Sequence, residues 1–128
     1  MSGDAGPLIF LVAGEPSGDL LGGRLMAALK AATGGRVRFA GIGGAAMAAE
    51  GLASQFPLSD LAVMGIIEVL PHAPRIFRRV RETVAAVERL KPDAVVTIDA
   101  PAFAFRVGKK LKGSGIPLIH YVAPSVWA

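Results

Sequence analysis

Two apolar runs, Leu8–Ala13 and Ala94–Ile98, are continuous or nearly so and close on Gly14 and Asp99. Runs of this length without alternation suit strands buried on both faces of a parallel sheet. Val37–Ala40 and Pro117–Val122 are read as two further short strands. Between them the period changes. From Ser17 to Ala32, Leu20, Leu21, Leu25, Ala28, Leu29 and Ala32 recur at helical spacing, with Arg24 and Lys30 left for water, and Thr33-Gly34-Gly35 ends the helix. From Arg75 to Leu90, Ile76, Phe77, Val80, Val84, Val87 and Leu90 form one stripe. An Ala-rich helix closed by Gly51 and a basic helix over Phe103–Lys112 complete the pattern. Residues 52–60 read as irregular, with a brief edge strand at Gln55-Phe56, and Val63–Leu70 reads as a short core helix.

Strands alternating with helices predict an α/β fold, a Rossmann-like parallel sheet with helices on both faces and right-handed crossovers. With 128 residues the chain is expected to form one domain, 1–128. Ligands of such sheets bind outside the carboxyl ends of the strands, which points to Gly14–Asp19, Gly41–Gly44, Asp99–Ala102 and Ala123–Trp127.

Composition narrows the function. Hydrophobic residues are 52% and charged ones 19%, too apolar for a disordered chain. The longest apolar stretches, Leu8–Gly14 and Leu61–Ile67, fall far short of a membrane span. Asp4 precedes the first apolar run, the wrong sign for a secretory leader, and there is no cysteine, so a cytoplasmic protein without thiolate chemistry is expected. The net charge of +4 is uneven: residues 1–70 hold four Lys/Arg and six Asp/Glu, whereas 71–128 hold ten and four. The basic excess suits a solvated helix face or an anionic partner. With 6% aromatics, a stacking surface for single-stranded nucleic acid is not expected.

Three motifs carry chemistry. In Gly14-Glu15-Pro16-Ser17-Gly18-Asp19, Ser17 is expected to cap the helix and Asp19 to face its dipole. The same loop offers backbone N–H groups to a ligand, and its two carboxylates favour a sugar hydroxyl over a phosphate. It has neither the Gly-Lys-Ser/Thr ending of a phosphate loop nor a nucleophile elbow. Gly41-Ile42-Gly43-Gly44-Ala45-Ala46 formally fits a dinucleotide fingerprint, with Asp60 spaced as a ribose partner. Asp99, at a strand end before Pro101, either caps the next helix or takes a proton from a substrate hydroxyl. No paired carboxylate points to a glycosidase, and His72 and His120 show no metal-ligand spacing, so no metal and no cofactor are expected.

Taken in order, Leu11–Asp19, Leu61–Leu70, Lys91-Pro92-Asp93, Ile98-Asp99-Ala100-Pro101 and His120–Ala128 resemble the lipid-A-disaccharide synthase family. The resemblance covers essentially the whole chain and corresponds to the N-terminal part of that enzyme, with the C-terminal UDP-binding domain absent. It implies half of an inverting GT-B glycosyltransferase. The family's donor is UDP-2,3-diacylglucosamine and its acceptor is 2,3-diacylglucosamine 1-phosphate; the product is a β-1,6-linked lipid A disaccharide precursor. It implies Asp99 as general base toward the acceptor 6-hydroxyl, and Glu15, Ser17, Gly18 and Ser125 as substrate-binding residues. This chain has Ala102 and Ala104 where the family commonly has an acidic and a polar residue. Val63, Met64, Ile66, Ile67 and Leu70, with Arg75, Arg78 and Arg79, would suit contact with the inner membrane surface, where the acylated substrates reside. A peripheral membrane location and a homodimer in the full-length form are the corresponding expectations, with no nucleic-acid partner. On its own the fragment is expected to be inactive. The alternative is a free-standing nucleotide-binding or regulatory module that uses Gly41–Ala46 without catalysis.

Overall fold

The computed structural model describes residues 6–62, 73–99 and 101–121. Its elements run β1 (Leu8–Ala13), α1 (Pro16–Ala32), β2 (Arg38–Ile42), α2 (Ala45–Ala49), α3 (Ser59–Ala62), α4 (Ala73–Leu90), β3 (Ala94–Ile98), α5 (Pro101–Leu111) and β4 (Leu118–Tyr121). The four strands form one parallel sheet in the order β2-β1-β3-β4. The expected fold class holds: this is a Rossmann-like α/β sheet covered on both faces.

The strands sort their side chains by the two-residue period. Phe10, Val12 and Val95 face α4 and α5, where Val80, Val84, Val87, Phe103, Val107 and Leu111 close one core. Leu11, Ala13, Val96 and Ile98 face the other way, against Met26 of α1 and Met47 of α2. β1 and β3 are buried on both faces, which is why their sequences carry almost no polar residue.

Two expectations need correction. The leucine stripe of α1 is only part of its buried face: Leu21 and Leu25 pack against the core, Leu20 is exposed, and the most buried positions are Gly18, Asp19, Gly22, Gly23 and Met26. These glycines let α2 approach closely. A β-carbon on Gly22 would lie 2.5 Å from the Met47 sulfur, and one on Gly23 would lie 3.2 Å from the Ala46 carbonyl oxygen. The expected edge strand at Gln55-Phe56 is absent; the Gln55 amide instead donates to the Gly41 carbonyl, and Phe56 enters the core. β4 is exposed along its length although its sequence is apolar, with Leu118, Ile119 and Tyr121 each more than a third accessible.

The reason lies in the sheet order. β4 is an edge, and among the described residues no strand pairs with its outer side. Apolar hollows flank it, one of about 320 Å3 lined by Leu25, Leu29, Val96 and Ile119, the other of about 410 Å3 lined by Phe105, Leu111, Ile116 and Leu118. Thr97 is buried beside this edge, and its hydroxyl lies 2.7 Å from Nδ1 of His120.

Candidate functional site

The order β2-β1-β3-β4 contains one reversal. From β1 the chain crosses to β2 on one side, and from β3 it crosses to β4 on the other. The chain therefore leaves β1 and β3 toward opposite sides of the sheet, and in sheets of this topology the ligand crevice lies between such loops at the carboxyl ends. Register places Ala13 beside Ile98, so Gly14 and Asp99 emerge side by side.

The first loop enters α1 through Glu15, which is extended (φ −147°, ψ 161°) and stands at the N-cap, with Pro16 next. Pro16 suits this position because its missing N–H is one the helix leaves unbonded anyway. Ser17 is thus not the cap but lies inside the first turn. Its hydroxyl donates to Oδ2 of Asp99 across the crevice, at 3.3 Å. Asp99 has φ +62°, in the left-handed region that a non-glycine residue adopts only when its surroundings hold it there. Gly18 explains the close approach: a β-carbon there would run into the Asp99 carboxylate. Glu15, Ser17, Gly18 and Asp99 thus converge at the switch point. Ser125 lies outside the described residues.

Asp19 has a role that local sequence does not show. It is 7% exposed, and its carboxylate accepts the amides of Gly44 (2.8 Å), Ala46 (2.9 Å) and Met47 (3.0 Å). The start of α2, where a dinucleotide fingerprint would hold its pyrophosphate, is occupied by the protein's own carboxylate. Gly43 is also committed, its amide donating to the Ser54 hydroxyl. Asp60, spaced as the ribose partner, is bound instead to Arg79 at 2.6 Å. The glycine motif is therefore a structural turn: Gly41 has φ +134°, and a β-carbon there would collide with the Leu11 carbonyl.

Val63, Met64, Ile66, Ile67 and Leu70 of the expected membrane contact lie outside the described residues. Arg75 and Arg78 are exposed at the start of α4. Because α4 feeds the start of β3, its own start lies at the carboxyl end of the sheet, the same end as Asp99. Arg79 differs from these two. It is bound to Asp60 and Glu82 and stacks over the Phe56 ring at 4.5 Å. Its pKa is raised above the ordinary arginine value, first by hydrogen bonding to Glu82, with burial opposing. This arginine fastens α4 to α3 and to the segment that follows α2. Among the described residues no group of three His, Asp or Glu side chains could hold a metal ion, and no helix is long and apolar enough to cross a membrane.

The chain is 60% identical to the lipid-A-disaccharide synthase of Paramagnetospirillum magneticum over 94% of its own length and 32% of the relative's. It is 59% identical to that of Rhodospirillum centenum, over 94% and 31% of the two chains, and 53% identical to that of Gluconobacter oxydans, over 96% and 29%. The chain therefore spans about a third of the length of the curated relatives it matches. Since the model of the lipid-A-disaccharide synthetase family matches residues 9–128, nearly the whole sequence, the chain belongs to that family.

Proposed function

We propose that this chain is the acceptor-side half of an inverting GT-B glycosyltransferase. The full protein would transfer 2,3-diacylglucosamine from UDP to 2,3-diacylglucosamine 1-phosphate. In this reading the acceptor's 6-hydroxyl enters the crevice between the loops after β1 and β3. Asp99 takes its proton as the oxygen attacks the anomeric carbon. The bond to UDP breaks on the opposite face, which gives the inverted β-1,6 linkage, and UDP leaves with the electron pair.

The observation that carries the reading is the place of Asp99: a carboxylate at the topological switch point, held in a left-handed backbone conformation and facing a serine in the first turn of α1. Strain of this kind clusters where a side chain has to be aimed. Glu15, exposed at the rim, and Ser125 would contact the acceptor. UDP would be held mainly by the C-terminal half of the full-length protein, so the 128-residue chain alone would not turn over. The apolar residues between 63 and 70, with Arg75 and Arg78, would rest on the inner membrane surface, and the full-length form would act as a homodimer. The rival reading, a nucleotide-binding module built on Gly41–Ala46, loses its support because Asp19 already fills the anion position.

The test is Asp99→Asn in the full-length protein. General-base catalysis contributes on the order of 10²- to 10⁴-fold. The expected result is a kcat lower by at least about 100-fold with little change in KM for the acceptor. Turnover near wild type would reduce Asp99 to a structural residue.

A further inference from the structure

We propose that Ser17 and Gly18 are positioning residues for Asp99 rather than contacts for substrate; the inference rests on the reading of Asp99 as the base. A serine hydroxyl has one proton to donate. Ser17 gives it to Oδ2 of Asp99, so toward a sugar hydroxyl it is left only as an acceptor. Oδ1 receives no hydrogen bond from the described residues. Among the described residues the two carboxylate oxygens therefore differ: Oδ2 is tied to the first turn of α1, and Oδ1 is the one left to take a proton.

Gly18 makes this tie possible. With no side chain, it brings the α1 backbone against the Asp99 carboxylate, and a β-carbon there would also lie 3.3 Å from the Ile98 carbonyl oxygen. The carboxylate thus sits where a helix start favours negative charge. The backbone adds a second constraint. At φ +62° Asp99 turns sharply out of β3, and its side chain projects toward α1 instead of continuing the strand's alternation. Backbone conformation and the serine tether restrict the same carboxylate, and the absent β-carbon of Gly18 gives it room to reach that position. A base is effective when its geometry is set before substrate arrives, which is what this arrangement provides.

Steady-state kinetics of the full-length enzyme on both substrates test the assignment, with Ser17→Ala, Ser17→Thr, Gly18→Ala and Asp99→Asn compared singly and Ser17→Ala combined with Asp99→Asn. Loss of a hydrogen bond to a charged group predicts a kcat about tenfold lower for Ser17→Ala, with acceptor KM within about twofold of wild type. Ser17→Thr, which keeps the hydroxyl, restores most of the rate. Gly18→Ala lowers kcat at least as far as Ser17→Ala, and the double variant is no slower than Asp99→Asn alone, because residues that act as a unit are not additive. A Ser17→Ala variant that raises acceptor KM at unchanged kcat, or whose loss multiplies with that of Asp99→Asn, would make Ser17 a substrate contact and overturn the proposal. Wild-type turnover by Asp99→Asn would remove the base itself. That failure is distinct from a crippled Asp99→Asn accompanied by a silent Ser17→Ala, which would sink the positioning role alone.

Discussion

Replacing Asp19 is expected to release the start of α2 and the glycine turn before it. The carboxylate accepts three amides, those of Gly44 and Met47 on Oδ1 and that of Ala46 on Oδ2. Hydrogen bonds to a charged acceptor contribute about 1.5–3 kcal/mol each, and a buried amide left without a partner costs about 1–3 kcal/mol. In Asp19→Ala, Gly44 and Ala46 are partly exposed and recover water, whereas the Met47 amide belongs to a fully buried residue. The net loss should be about 3–4 kcal/mol. Asp19→Asn keeps Oδ1 as an acceptor and turns an N–H against Ala46, so about 2 kcal/mol is expected. Hydrogen exchange of the full-length protein reads this at the site. In the alanine variant, protection of the Ala46 and Met47 amides should fall by on the order of 100-fold or more. In the asparagine variant the fall should be clearly smaller. Exchange within about threefold of wild type in Asp19→Ala would refute the claim that this carboxylate anchors α2.

Two further outcomes follow from the arginines of α4. Arg79→Ala removes two N–H donations to a single oxygen of Asp60, a bond to Glu82 and the cover of Phe56, and should cost about 2 kcal/mol in chemical denaturation. Arg78→Ala, with a half-exposed side chain 3.9 Å from Glu82, should stay within about 0.5 kcal/mol of wild type. If residues 63–70 and the exposed arginines meet a bilayer, Ile66→Glu combined with Arg78→Glu lowers co-sedimentation of the full-length protein with anionic vesicles. Undiminished binding by that variant would sink the membrane contact.

Much of the fold could be read from the order of apolar runs, because strands buried on both faces have little choice of residue. Leu8–Ala13 and Ala94–Ile98 are found where their patterns place them, and α4 follows its stripe, except that Phe77 and Leu90 are exposed. α1 misled for a physical reason. Hydrophobic periodicity reports where apolar bulk recurs, and Leu21 and Leu25 do pack, but the closest approach of this helix is made through Gly22 and Gly23, which carry no such signal. Asp99 was legible as a strand-end carboxylate, but its left-handed backbone and its serine partner 82 positions away were not. Asp19 shows the same limit. Its own helix suggested a dipole partner, while its bonds go to a helix about 25 residues later. A signal was present, since a glycine-rich loop with free amides and a nearby unpaired acid complement each other, but only the tertiary fold brings them together.

The open side of β4 sets how this chain behaves when it is handled by itself. Among the described residues no strand pairs with the outer side of β4, so its backbone donors and acceptors, flanked by Leu118, Ile119 and Tyr121, are a template for adding another strand, whatever the source of that strand. Lys109 and Lys112 line the hollow beside Leu118 and guard that side with charge, whereas the hollow lined by Leu25, Leu29 and Ile119 carries no lysine. Colloidal behaviour, including the concentration at which the polypeptide begins to cluster, therefore depends on a ribbon only four residues long, roughly 13 Å.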